Sequence, residues 1–194
     1  MLDKVGTQLD DDSLRTFFYE VMAIVNSRPL TLDHIHDPSS DVLSPNQLLT
    51  MKTSVVLPPP GNFVQQDLYI TKRWRRVQYL VNLFWTKWKA EYLAELQKRQ
   101  KWAKGQRNMR KGDIILLKEE NVTRNTWPIA IVEDAYPSED GKVRKVKVRV
   151  ADHNMDKRGS RTKVQSVLER PVHKCVLLHE ATVTDQGIPP PGNQ

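Results

Sequence analysis

Three side chains that can bind metal or act as nucleophiles lie close together near the end of the sequence: His173, Cys175 and His179. On an extended strand His173 and Cys175 share a face, whereas His179 reaches them only through a turn. This spacing matches none of the ligand patterns that structural zinc sites use. We therefore predict no metal site here, and expect a buried thiol with exposed imidazoles.

Carboxylates that could hold catalytic metal ions in pairs, as in nucleases and transposases, are present by residue type only. Each candidate lies beside a predicted turn or strand end, where solvated carboxylates are common: Asp113, Glu119, Glu120, Glu133 and Asp134. The sequence also has no glycine-rich phosphate loop, no Gly-x-Ser-x-Gly motif and no His-Glu-x-x-His motif. We predict that the chain is not an enzyme and has no catalytic residues and no cofactor.

The basic residues are distributed unevenly along the chain. Residues 1–70 contain 4 Lys/Arg and 9 Asp/Glu, residues 71–112 contain 13 and 2, and residues 113–194 contain 13 and 12. Cations concentrated in the middle of a chain indicate a polyanionic partner. A well-solvated helix surface is the alternative explanation, and charge alone does not separate the two.

The first element is a helix predicted over about residues 12–26. Asp12 or Ser13 can cap its start, and Arg28-Pro29 ends it, because a residue before proline is pushed out of the helical region. Its apolar face is formed by Leu14, Phe17, Val21 and Ile24. We also expect a short helical turn over residues 45–49.

A second, long helix is predicted over residues 74–102. No Gly or Pro lies between Gly61 and Gly105, and apolar residues recur there at steps of three or four. About 30 residues of helix span roughly 45 Å. We expect its aromatic side chains to pack against another element and its basic side chains to face solvent.

The pattern after Gly105 changes to that of short strands. Strands are predicted at residues 114–117, 129–136, 145–150, 164–168 and 175–178, with a hairpin turn over residues 137–141. In the third strand, period-two alternation places Lys145, Lys147 and Arg149 on one face and three valines on the other. Five short strands predict a small β-barrel, because closure removes exposed sheet edges.

Several separated motifs, in this order, resemble the end of integrases from BEL/Pao-type LTR retrotransposons. They are Asn26-Ser27-Arg28-Pro29-Leu30-Thr31, Leu43-Ser44-Pro45-Asn46-Gln47-Leu48-Leu49, the helix from Trp74 to Trp102, Lys111-Gly112-Asp113-Ile114-Ile115-Leu116-Leu117, Arg124-Asn125-Thr126-Trp127-Pro128 and Arg170-Pro171-Val172-His173-Lys174. The resemblance covers about residues 10–179.

The resemblance implies that this chain is the tail of a cut-and-join enzyme. In that family a ribonuclease-H-like core holds divalent metal with Asp, Asp and Glu, and the helix ending in Asn-Ser-Arg-Pro closes that core. The acidic triad would lie upstream, and Glu20 lies on the closing helix itself, so the catalytic role is not carried over to it. Without the core sheet, we expect the closing helix to leave its apolar face partly exposed or to dock loosely on the long helix.

The sequence and the resemblance together predict an α+β fold with an N-terminal helix, a long amphipathic basic helix and a small five-stranded SH3-like β-barrel. The predicted division is a remnant of the integrase core (1–57), a linker with the long helix (58–108), the barrel (109–180) and a disordered tail (181–194). We expect an intracellular, nuclear protein with no membrane segment.

The predicted function is non-catalytic DNA binding with little sequence preference, in which phosphate contacts dominate affinity. The residues predicted to contact nucleic acid are Arg73, Arg75, Arg76, Lys98, Arg99, Lys101, Lys104, Arg107, Arg110, Lys145, Lys147 and Arg149. Trp127 is predicted to fill the core rather than to stack on bases. RNA as the ligand and self-association stay open, as does an alternative function, an SH3-like module that binds chromatin tails or other proteins.

Overall fold

The computed structural model describes residues 9–30, 43–52, 57–69, 72–103, 107–120, 122–151 and 165–181. The helices are α1 (Asp11–Val25), α2 (Pro45–Thr50) and α3 (Arg73–Ala103), with 3₁₀ turns at Gln65–Tyr69 and Val172–Lys174. The strands are β1 (Ile114–Leu117), β2 (Ile129–Pro137), β3 (Val143–Ala151), β4 (Gln165–Pro171) and β5 (Cys175–His179).

Helix α1 begins one residue before the predicted start. Asp10 occupies the N-cap position, so the prediction of Asp12 or Ser13 as the cap was wrong. Phe17 and Ile24 are buried on the side that packs against α3, as the apolar periodicity predicts. Asp10 contacts Arg73 at the start of α3, and Glu20 contacts Gln78 farther along it, so the two helices run in the same general direction.

Helix α3 confirms the long helix in both position and length. It has 31 residues, and its core-facing side buries Val77, Leu80, Val81, Trp85 and Leu93. Trp74, at its first turn, is 48% exposed and touches only the edge of the Phe63 ring among the aromatic contacts seen (centroids 5.3 Å apart). The expectation that the helix aromatics pack therefore holds for the middle of α3 and less well for its start.

The five strands form one antiparallel sheet in the order β4-β3-β2-β1-β5. Gly141 has a φ of +72° in the β2–β3 turn, a conformation that glycine adopts without steric cost. The sheet is not closed into a ring of strands, since β4 and β5 are its edges. The α+β class and the five strands are confirmed, and the word barrel describes the sheet only loosely.

The two faces of the sheet bury two different cores. One side joins the helices, so that Phe17 of α1 and Trp85 of α3 share a hydrophobic cluster with Leu116 of β1. The other side is lined by alternate residues of the same strands, including Ile115 and Val148. Residues from all three predicted units meet in the helix-side core, and their division into domains stays a prediction.

No helix among the described residues is long and apolar enough to cross a membrane. The predicted C-terminal tail lies outside the described residues except for Ala181.

Candidate nucleic-acid interface

The cations at the start of α3 are held by carboxylates. Arg73 is paired with Asp10, and Arg75 donates from Nε to Asp67 Oδ1 at 2.7 Å. Asp67 is almost fully buried, and the hydrogen bond from Arg75 lowers the pKa of its carboxyl group. The same hydrogen bond raises the pKa of the Arg75 guanidinium. Arg75 therefore fastens the 3₁₀ turn before α3 to the helix, and its charge is locally neutralised.

The remaining predicted cations of α3 lie farther along the helix. Arg76 is half-buried beside Val77, one turn into the helix. Lys98, Arg99 and Lys101 lie in the last turns of α3, beyond the side chains that the structure describes, and Lys104 lies outside the described residues. The structure adds Lys87, which is exposed on α3 and was not among the predicted contacts. The structure does not test whether these residues bind phosphate.

Arg107 has a structural role. Its Nη1 and Nη2 donate to the two oxygens of Asp113 at 2.9 and 2.8 Å, and its Nε lies 3.2 Å from Glu180. Asp113 is fully buried and also accepts the backbone N–H groups of Arg110 and Ala181. The hydrogen bond to Asp113 raises the pKa of Arg107. A buried carboxylate with this set of donors fixes the turn before β1.

That turn lies along the β2–β3 hairpin. The Asn108 side chain donates to Gly141 O at 2.7 Å and accepts from Val143 N at 3.1 Å, and Met109 packs into the core beneath the hairpin. The next two residues, Arg110 and Lys111, are both exposed. The segment that carries them is thereby fixed beside the hairpin that carries Lys142.

We call Arg110, Lys111 and Lys142 the basic edge. All three are exposed, and within the described part of the chain none of them has an ion pair. In the same hairpin the charge of Asp140 is taken up by Arg144, at 2.6 Å. The basic edge therefore carries three positive charges that the fold leaves available to solvent.

Sequence reasoning found Arg110 but missed Lys111 and Lys142. Each of the two lies next to a glycine in a predicted turn, so its exposure was readable from the sequence. Their proximity was not, because it depends on the hydrogen bonds of Asn108 to a segment more than thirty residues away.

The outer face of β3 is arranged as predicted but is nearly neutral. Val146, Val148 and Val150 are buried, so Lys145, Lys147 and Arg149 share the opposite face. Lys145 is paired with Glu169, and Arg149 Nε lies 3.2 Å from Glu133. Lys147 stands between Asp134 and Glu169 in the strand register. This face carries alternating signs rather than a uniform positive charge.

Trp127 lies in the core, as predicted. It is 3% exposed, and its ring meets those of Trp85, Trp88 and Tyr92 edge-on with centroids 5.2, 5.6 and 5.3 Å apart. Its indole N–H donates to Ser27 Oγ at 3.1 Å. A ring enclosed in this way has no face on which a base could stack.

A polar network beside Trp127 ties the β1–β2 loop to both helices. Arg124 is 4% exposed and donates from Nη2 to Gln78 Oε1 at 2.7 Å, with Glu20 at 3.8 Å. Gln78 in turn donates to Glu20 at 3.2 Å. Burial lowers the pKa of Arg124, and Glu20 opposes that shift. These three residues orient α1 and are too enclosed to contact a nucleic acid.

The candidate metal ligands are not grouped into a site. His173 is exposed on the 3₁₀ turn, whereas Cys175 is buried in β5, where burial raises the pKa of its thiol to about 11. Across the described ranges no group of three or more His, Cys, Asp or Glu side chains could hold a metal ion.

One comparison with known proteins identifies a family. The family described as "Family of unknown function (DUF5641)" matches residues 72–178, which is more than half of the chain. The match begins just before α3 and ends within β5, so it spans the long helix, the basic edge and the sheet. No curated protein and no solved structure matches the chain.

Proposed function

The chain belongs to the DUF5641 family, and we propose that it is a non-catalytic DNA-binding module, the C-terminal part of a retrotransposon integrase. Binding would occur through phosphate contacts with little sequence preference. RNA offers the same phosphates and is a second possible ligand. In this proposal the protein acts in the nucleus during DNA integration, and the chemistry is carried out by a core that is not part of the described structure.

The observation that carries this proposal is the basic edge. Arg110, Lys111 and Lys142 come from two segments that the fold places side by side, and the structure provides them with no described acidic partner. A solvated cluster of cations releases condensed counterions when it meets a phosphate backbone, and this release drives sequence-independent binding. Surface cations that already have carboxylate partners contribute less, because a phosphate must first displace the carboxylate.

The apolar residues of α1 give a second, independent line of support for the resemblance to integrases. That resemblance predicts a helix that has lost one of its packing partners. Among the described residues of α1, Phe18, Tyr19 and Met22 are more than half exposed, while Phe17 and Ile24 pack against the rest of the chain. A helix with apolar residues on two sides is typical of an element that packs between two layers.

The alternative function, a module that binds chromatin tails or other proteins, depends on an aromatic groove. The sequence offered Trp127 and Tyr136 for such a groove. Trp127 is buried, and Tyr136 is 37% exposed with Lys145 Nζ 5.7 Å from its ring centre. The described residues therefore provide one of the two aromatic walls, and the observations favour nucleic acid.

The proposal is tested by fluorescence anisotropy with a labelled duplex, titrated at several salt concentrations. If six phosphates are neutralised, log K falls against log salt with a slope of about −5. Replacing Arg110, Lys111 and Lys142 by Ala should reduce the magnitude of that slope by about 2 to 3 and weaken binding uniformly across sequences.

A matched control removes three paired cations instead: Arg144, Lys145 and Arg149, each replaced by Ala. Its net charge equals that of the basic-edge variant. We expect the control to bind more tightly than the basic-edge variant. Equal losses would indicate a diffuse field rather than a site, and an unmodified chain that binds no DNA at low salt would refute the proposal.

A further inference from the structure

The outward face of α1 carries a second apolar surface. Phe18, Tyr19 and Met22 are 53%, 65% and 55% exposed, whereas Phe17 and Ile24 point towards α3 and the sheet. Phe18 and Met22 are four residues apart and therefore lie one above the other on the same helical face. Single exposed apolar residues are common, but a contiguous group on one helix face marks an interaction surface.

Helix α2 extends this surface. Asn46 donates from its side chain to Ala23 O at 2.8 Å and from its backbone to Asn26 O at 2.9 Å, which fastens α2 to the C-terminal end of α1. Leu48 and Leu49 on α2 are 56% and 72% exposed.

We call Phe18, Tyr19, Met22, Leu48 and Leu49 the outer patch. At about 100 Å² for each side chain, it presents roughly 500 Å² of apolar surface, so two copies together reach the ~1,000 Å² of a small specific interface.

The charges around the outer patch are self-complementary. Asp11 and Asp12 are exposed at the N-terminal end of α1, and Arg28 follows its C-terminal end, where its Nη1 donates to Val25 O at 3.0 Å. If two α1 helices pair antiparallel with Phe18 opposite Met22 of a second copy, Asp12 lies opposite Arg28 of that copy. Each end of the apolar contact is then closed by charges of opposite sign.

Arg15 fits the same arrangement. It is exposed on the face of α1 that carries Phe18 and Met22. In the antiparallel pair it lies opposite the C-terminal turn of the second helix, and cations are favoured at that end of a helix dipole. The α1 sequence has no basic residue in its own last turn, so the second copy would supply one.

We propose that the outer patch is the interface of a homodimer with two-fold symmetry, in which α1 pairs antiparallel with α1 of a second copy and α2 packs at its margin. This interface does not involve the basic edge and does not depend on the proposed DNA binding. A dimer presents two basic edges to one nucleic acid, so the two surfaces would act together through effective concentration.

Sedimentation velocity of the full chain tests the proposal over about 5–500 µM, because an interface of minimal size has a Kd in the micromolar range. We expect a concentration-dependent shift from monomer to dimer. The double substitution of Phe18→Glu and Met22→Glu should weaken the dimer at least tenfold. Val167→Glu is the matched control, since Val167 is 47% exposed on β4, away from α1, and its substitution should leave the dimer unchanged.

Charge reversal tests the antiparallel arrangement without placing a charge in the apolar contact. Asp12→Arg and Arg28→Glu should each weaken the dimer severalfold, and the two together should restore most of the affinity. Far-ultraviolet circular dichroism checks that each variant is folded. An unmodified chain that stays monomeric throughout the concentration range would overturn the proposal, as would a dimer that the Phe18→Glu and Met22→Glu substitutions leave intact.

Discussion

Replacement of Trp127 by Ala is expected to be the most damaging single change to the fold. Trp127 is 3% exposed and lies where the β1–β2 loop meets α3 and the end of α1. Removing a buried Trp side chain costs about 3–5 kcal/mol through lost burial and the cavity that remains. Three edge-on aromatic contacts and the hydrogen bond to Ser27 place this site at the upper end of that range.

The cost can be divided by two milder substitutions. Trp127→Phe keeps most of the ring contacts and loses the indole N–H, and we expect it to cost about 1–2 kcal/mol. Ser27→Ala removes the acceptor of that N–H and leaves a buried donor without a partner, at about 1 kcal/mol. If the hydrogen bond is the only interaction between the two side chains, the double variant should cost less than the sum of the single ones.

Urea unfolding followed by circular dichroism measures these differences. Since small domains are stable by only about 5–15 kcal/mol, Trp127→Ala should lower the midpoint strongly or leave the chain unfolded. Trp74→Ala is the matched control, because Trp74 is 48% exposed, and it should cost less than about 1 kcal/mol. A Trp127→Ala variant within about 1 kcal/mol of the unmodified chain would refute the assignment of Trp127 as the centre of the helix-side core.

Three further outcomes follow from buried polar groups. Asp113→Ala leaves the Arg107 guanidinium and two backbone N–H groups without their acceptor, so we expect a loss of about 3–5 kcal/mol in urea unfolding. Because Arg75 lowers the pKa of Asp67, this carboxylate stabilises the fold above its unfolded pKa of about 3.8, and that contribution is lost as pH falls through the lower folded value. Asp67→Asn should therefore be less stable at neutral pH and lose less stability on acidification below about pH 4; an unchanged acid limb would contradict the pairing. Burial raises the pKa of Cys175 to about 11, so a thiol reagent at pH 8 should react with the native chain at least a hundredfold more slowly than with the urea-unfolded chain.

The elements of this protein were predictable because they are encoded by local patterns. The absence of Gly and Pro between Gly61 and Gly105, with apolar residues at helical spacing, defined α3 almost to the residue. Alternation alone assigned Val146, Val148 and Val150 to the buried face of β3. The prediction that Trp127 fills the core was confirmed as well, since a large aromatic ring beside a proline in a short turn is most stable when it is buried.

The element ends and the sheet closure were less accessible. The start of α1 moved to Asp10, and helix ends are set by a few hydrogen bonds that propensity hardly distinguishes. Leu80 and Trp85 lie outside the predicted apolar stripe of α3 but are buried, because the helix is covered by α1 on one side and by the sheet on another. A single-face pattern cannot show that a helix has two packing partners.

The sequence by itself determined which residues are charged, which faces of the helices and strands are apolar, and where turns interrupt them. Only the tertiary structure decided which charges remain available to a ligand. Arg75 and Arg107 are neutralised by Asp67 and Asp113, whereas Lys111 is left with Lys142 beside it. The physical reason is that electrostatic energy depends on distance in space: a carboxylate a few ångströms away cancels a cation however far apart the two are in the chain, and sequence counts cannot show that distance.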